Sequence, residues 1–281
     1  MRLSILHRTV YHYTAPVFYS IQQLRLTPRA ETHQRTLRWR LGAPGPLAAT
    51  IDAYGNTSHT LTLTEAHGDV AIEARGEVEV DPLADGRLEE TESGVPPLSF
   101  LAMTPLTEPD GAVLEFAHQH LRRLDAGGLL AFANEVCRAV AYKAGTTEVT
   151  STAREALALG RGVCQDHAHL FISACRARGL PARYVSGYVH PGDAPHAASH
   201  AWADVHLQEH GWVSIDVTHR SFASDHLCRL AVGRDYASAS PVRGVRIGGG
   251  DESMEVRVNI RPFPFIAAGR TDHTSAFHRD Q

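Results

Sequence analysis

Between Thr60 and Val80 apolar and polar positions take turns along the chain. Thr60, Leu61, Thr62, Leu63 and Thr64 alternate; from Val70 to Val80 the even positions are Val, Ile, Ala or Gly, while Glu73, Arg75, Glu77 and Glu79 hold odd ones. Residues two apart share one face of a strand, so this alternation predicts half-buried antiparallel strands, packed on one side and wet on the other. Residues 2–13, 24–27 and 37–41 supply further short strands, punctuated by the turn-forming runs APGP at 43–46 and YGN at 54–56. The pattern predicts a small sandwich-like β domain over residues 1–82.

The alternation then dissolves into a stretch rich in Pro, Gly, Asp and Glu, read as a linker over 83–109. Beyond it the apolar spacing changes to that of helices. Val113, Phe116, Ala117 and Leu121 mark one amphipathic helix, and Leu130, Ala133, Val136, Cys137 and Val140 mark a second. A third is expected from Val163 to about Arg178, stopped by RGLP, where Gly179 can take the left-handed position and Pro181 bars continuation. Strand-like runs follow at 182–189, 200–207 and 212–216, the last two joined by the turn-like QEHG. Residues 110–265 therefore read as a second domain of helices packed on an antiparallel sheet, and 266–281 as a loose polar tail. The fold class is α+β.

Composition narrows the partners. Among 281 residues, 43% are hydrophobic and 21% charged, enough apolar material for a sizeable core. A net charge of −4 with no dense Lys/Arg run offers nothing to nucleic acid or an anionic membrane. The first residues break their apolar run with Arg2, His7, Arg8 and His12, and no later stretch reaches the ~18 apolar residues of a membrane span, so the expected location is the cytoplasm. Nothing here bears on the oligomeric state.

The run GVCQDHAHLF, residues 162–171, raises the chemical question. Cys164 could be a small core residue, a metal ligand or a nucleophile. A thiol in the first turn of a helix feels the positive end of the helix dipole and unpaired backbone N–H groups, which favour the thiolate and can also hold an oxyanion. The other cysteines, Cys137, Cys175 and Cys228, lack that setting, and Cys175 would sit about 16 Å from Cys164 on the same helix, too far for a disulfide. Eighteen histidines call for a test of metal binding. His167 and His169 point about 200° apart around a helix and cannot grip one ion. Cys164 with His167, or His196 with His200, could be brought together, yet no HExxH or CxxC accompanies them, so no metal and no other cofactor is expected.

A nucleophilic thiolate needs a base, and the base needs an orienting group. His200 opens one strand of a hairpin and Asp216 closes the next, which brings both to its open end. Asp204, four residues along His200's own strand, would lie roughly 13 Å away. Taken singly, each of these residues reads as readily as packing. Their order and settings together point to nucleophilic chemistry.

These runs, followed by AVGRDY and SPVRGV, resemble the catalytic core of the transglutaminase-like superfamily, bacterial branch, which is related to the papain-like cysteine proteases. HRTVYHYTAPV, QQLRLTPR and DAYGN resemble the β domain that precedes that core. The resemblance implies Cys164 as nucleophile, His200 as general base and acid, and Asp216 as its orienting residue. It places Gln165, Asp166 and Trp202 beside the site, and likens Tyr142 to an aromatic residue lining the oxyanion region, although a core aromatic at a helix end reads equally well. The chain departs from the branch's usual pattern at Ala197 before SHAW, at Asp204 for a Glu, at Val217 and His219 where DPTN is usual, and at Ser238 for an acid. The expected activity is acyl transfer from an amide through an acyl-enzyme, with hydrolysis of a protein or peptide substrate preferred over transamidation. The alternative is a non-catalytic binding module that retains the fold.

Overall fold

The computed structural model describes residues 1–89, 95–190 and 198–263. The first six strands are β1 (Arg2–Tyr13), β2 (Val17–Leu24), β3 (Gln34–Gly42), β4 (Leu47–Ile51), β5 (Thr57–Leu63) and β6 (Val70–Val80). Strands β5 and β6 coincide with the alternating runs, and β1 with the strand expected at 2–13. The expected strand at 24–27 is instead β2, ending at Leu24. After Leu24 the chain leaves the ladder to reach the neighbouring sheet, where the Arg29 N–H donates to the Arg229 carbonyl at 3.0 Å.

Helices α1 (Gly111–His120) and α2 (Ala126–Ala139) follow, begun by Asp110 and Asp125, whose carboxylates accept from Val113 and Gly128 N–H groups at 2.9 and 2.7 Å. A short parallel pair, β7 (Ala141–Tyr142) and β8 (Arg161–Gly162), brackets α3 (Ala153–Leu159). The central helix α4 (Cys164–Ala177) then leads into β9 (Ala182–Val189), β10 (Ala198–Leu207), β11 (Gly211–Asp216), β12 (Ser221–Phe222) and β13 (Leu227–Gly233). The one-turn helix α5 (Tyr236–Ala239) precedes β14 (Val242–Gly248) and β15 (Glu252–Pro262).

Three antiparallel sheets result. One has the order β15-β1-β6-β3, another β14-β2-β5-β4, and the third β12-β11-β10-β9-β13. The last two strands thus return to the N-terminal sheets, β15 pairing with β1 and β14 with β2. A boundary drawn along the sequence at residue 82 does not separate these layers, because strand pairing is set in space and the edges of β1 and β2 are completed by residues more than 200 positions away. The presumed linker is likewise docked on the third sheet. Leu88 donates its N–H to the Trp212 carbonyl at 2.9 Å, and Leu88, Phe100 and Trp212 form a buried cluster. Residues 90–94 of that stretch, and the tail at 266–281, lie outside the described residues.

The exposed edge of the third sheet is closed by side-chain amides. Gln34 accepts from the Arg229 N–H at 2.7 Å and donates to the Arg229 carbonyl at 2.9 Å. Asn56, from the YGN turn, accepts from the Val232 N–H at 2.8 Å and donates to the Val232 carbonyl at 2.8 Å. Each amide presents the donor and acceptor that a neighbouring strand would offer to β13. Asn56→Ala leaves both Val232 groups buried without these partners, so thermal or urea unfolding is expected to show a loss of at least about 2 kcal/mol.

His7, His33 and His169 are buried, and desolvation of the charged form pushes each pKa from 6.5 down to about 4. All three are neutral in the fold but take up protons below pH 6.5 when the chain unfolds. Their contribution is present above 6.5 and is lost as pH falls toward 4, at about 1.4 kcal/mol per unit and per histidine once well below 6.5. The thermal midpoint is expected to be lower at pH 5 than at pH 7, and His169→Gln to flatten that dependence.

Candidate active site

Helix α4 begins at Cys164 and is buried continuously from Gln165 to Arg176. Its start is fastened by Asp166, whose carboxylate accepts from the Val163 N–H and the Thr147 hydroxyl, both at 2.7 Å. Gly162 makes this possible: a Cβ there would lie 2.6 Å from the Asp166 carboxylate. Gln165 donates to the Val149 carbonyl at 3.1 Å, tying the preceding loop to the helix. Both residues therefore hold the backbone at Cys164 in place. The first helical N–H groups have no acceptor within the helix and are available to an oxyanion.

The hairpin of β10 and β11 supplies the other two residues. Its ladder pairs Ala203 with Ile215 and Leu207 with Gly211, and this register continued places Asp216 across from Trp202 and diagonal to His200 on one face. His200 Nε2 donates to Asp216 Oδ2 at 2.9 Å, and Cys164 lies close enough to bear on the same imidazole. Burial disfavours charge on His200, but the hydrogen bond to Asp216 and the negative charge of Asp216 and Cys164 override it and raise its pKa to about 10. Burial pushes the Asp216 carboxyl up, while hydrogen bonds from His200 and His219 hold it well below the usual range. The three residues singled out by sequence order are thus brought together.

Trp202 lies beside them, its ring stacked 6.0 Å from that of His200 and its Nε1 donating to Ser214 Oγ at 3.1 Å. Gly187 on β9 makes room for it, since a Cβ there would lie 2.5 Å from the indole. Tyr142 is no core aromatic. It is 59% exposed on β7, which pairs with the strand leading to Cys164, and negative charge at Cys164 adds to burial in raising its pKa.

The departures separate into different roles. Asp204 is fully buried, bonded to Arg183 Nε at 2.8 Å and Arg229 Nη1 at 3.0 Å, and Arg229 in turn faces Glu31 of the first layer at 3.5 Å. Ser238 caps α5 with Asp235, and Val217 is packed among the helices. His219 is different. Its Nδ1 donates to Asp216 Oδ2 at 2.7 Å and its N–H to Oδ1 at 3.2 Å, so it shares the carboxylate with His200. Sequence reading set His219 beside the triad without joining it; its spacing of three residues after Asp216 was the available signal. Ala197 and His196 lie outside the described residues.

Among the described residues, one group of three could hold a metal ion: His200, Asp216 and His219, with ligand atoms within 4.8 Å of one another. Neither pair weighed from the sequence is this one. His167 is engaged at both nitrogens, with Thr218 Oγ1 at 3.0 Å and the Val140 carbonyl at 2.8 Å.

With this geometry in place, relatives can be compared. The family model described as Transglutaminase-like superfamily matches residues 122–217, and that of the bacterial transglutaminase-like N-terminal region matches residues 3–79. The chain belongs to the transglutaminase-like superfamily. An uncharacterized Mycobacterium leprae protein is 30% identical, with 92% of this chain and 98% of the relative covered. An uncharacterized Mycobacterium tuberculosis protein is 32% identical, with 93% of each covered. A solved Cytophaga hutchinsonii structure, described as a candidate cysteine protease, is 20% identical with a TM-score of 0.75, covering 99% of this chain and 94% of that one, and shares the fold. Within this transglutaminase-like chain, no helix among the described residues is long and apolar enough to cross a membrane.

The four thiols differ sharply. Cys175 and Cys228 are fully buried and burial pushes both thiols well up; Cys137 is half-buried, raised by burial, and donates to the Val217 carbonyl at 3.0 Å. Cys164 is partly exposed and lies beside His200, whose pKa its negative charge helps to raise. Alkylation of the native protein near pH ~6, read by mass spectrometry, is expected to label Cys164 first and to leave Cys175 and Cys228 unmodified. His200→Ala is expected to remove the advantage of Cys164.

Proposed function

We propose that this protein is a cysteine hydrolase of amide bonds in protein or peptide substrates. The observation that carries the reading is the continuous path from a thiol at a helix start, through a hydrogen-bonded imidazole, to a buried carboxylate that fixes that imidazole at 2.9 Å. In this reading the Cys164 thiolate attacks the carbonyl carbon, and the first N–H groups of α4 receive the negative charge on its oxygen. His200 gives its proton to the leaving amine, forming an acyl-enzyme. Neutral His200 then takes a proton from water as that water attacks the thioester, and Cys164 is released. Asp216 keeps the imidazole's Nδ1 turned to the sulfur and balances the imidazolium charge throughout.

The intact arrangement supports an enzyme over a binding module, which has no use for a buried histidine–carboxylate pair aimed at a thiol. An amine in place of water would give transamidation through the same acyl-enzyme. A peptide-amide library, with products followed by mass spectrometry, tests the reading. Wild type is expected to cleave one or more members, Cys164→Ala to cleave none, and Asp216→Asn to lose at least about 100-fold in kcat with its fold intact. Turnover by Cys164→Ala equal to wild type would refute the assignment. Adding a primary amine reports how the acyl group divides between water and amine.

A further inference from the structure

We propose that His200, Asp216 and His219 form a binding site for a borderline divalent cation of the Zn2+ type, and that its occupancy stops His200 from passing a proton to the leaving amine. Two imidazoles and one carboxylate are the donor set of three-ligand zinc sites that keep a position open. The three donors here come from β10, the end of β11 and the turn directly after it, so the backbone of one hairpin already gathers them. Asp216 Oδ2 is the common point, 2.9 Å from His200 Nε2 and 2.7 Å from His219 Nδ1. A tetrahedral ion with bonds of about 2.0–2.2 Å spaces its ligands roughly 3.3 Å apart. Each contact therefore needs to open by roughly half an ångström: rotation of the half-exposed His219 ring opens its own, and the buried His200–Asp216 pair has to part by a small side-chain shift.

The site has an inner and an outer end. Asp216 is fully buried and His200 nearly so, while the His219 side chain is 51% exposed and gives an ion a route from solvent. Cys137 and His167, which neighbour Asp216 from α2 and α4, are engaged elsewhere, with the Val217 carbonyl and with Thr218 and Val140. His219, three residues after Asp216, supplies the third donor.

Binding is ligand exchange. Each histidine gives up the proton on the nitrogen facing Asp216, either to water or to its own other nitrogen, and the ion takes its place. With Nε2 on the ion, His200 could release its Nδ1 proton only by becoming an imidazolate, so it can no longer pass that proton to the leaving amine. This consequence rests on the hydrolase reading; the binding itself does not.

The test uses the full chain and ZnCl2 alone. Equilibrium dialysis with metal analysis, paired with thermal unfolding, compares wild type, Cys164→Ser and His219→Asn. One Zn2+ per chain is expected in wild type and in Cys164→Ser with similar affinity, raising the thermal midpoint of both. His219→Asn, folded by its unprobed unfolding curve, is expected to bind at least ten-fold more weakly. Absence of saturable binding to wild type, or equal binding by His219→Asn, overturns the site. Binding lost only in Cys164→Ser also overturns it, in favour of a thiol-centred one. In wild type, Zn2+ is expected to slow peptide cleavage at least ten-fold and EDTA to restore it. Zinc binding that leaves cleavage at its zinc-free rate overturns the proton block, whereas a wild type that cleaves nothing even in EDTA fails the hydrolase reading and leaves the dialysis result to stand.

Discussion

Helix α4 has no solvent face over most of its length, yet it carries Gln165, Asp166, His167, His169 and Arg176. Each of these polar groups needs a partner inside the protein, because burying one unpaired costs on the order of 1–3 kcal/mol. The partners come from every direction: the Val149 carbonyl, Thr147, the Val140 carbonyl and Thr218, the Tyr236 N–H, and the Ala182 and Arg234 carbonyls. The surrounding loops, α5 and the start of β9 are thereby placed relative to the helix. Cys164 inherits that rigidity. A nucleophile at the start of a pinned helix needs little reorganisation to meet a base on the adjacent hairpin.

The same logic joins the layers. The edge of the third sheet is satisfied by Gln34 and Asn56, and the buried Asp204 carboxylate is neutralised by Arg183 and Arg229, the latter also facing Glu31. Tyr188, Cys228 and Leu230 from the third sheet pack into the core of the first two. The N-terminal strands thus act on the site through β13, β9 and β10, well away from the reacting atoms. Burial of charge at Asp204 is tolerable only with these partners present, which couples the layers' docking to the correct setting of the hairpin that carries His200.

Asp216 is where structural and chemical demands meet. A buried carboxylate with one imidazole partner still has lone pairs to satisfy, and here His219 and its own N–H supply the remaining donors. That second histidine shares the carboxylate without displacing His200 from it.

Much of the chain was legible from local pattern. Period-two alternation located β5 and β6, the C-terminal stop at Gly179 and Pro181 bounded α4, and the ordered motifs carried Cys164, His200 and Asp216 to one site. These features are written in neighbouring residues, since strand faces, helix ends and turns depend on a few positions each. The short helix α3 and strands β14 and β15 carried no comparable signal, and β15 is mostly exposed along its length. What the sequence by itself determined was the chemistry available and the elements that bear it. Only the tertiary structure decided that the last strands complete the first sheets, that the acidic stretch before α1 is docked on the hairpin, and that His219 shares Asp216. Those outcomes depend on which edges and buried charges meet in space, and no local pattern encodes a partner that lies far along the chain.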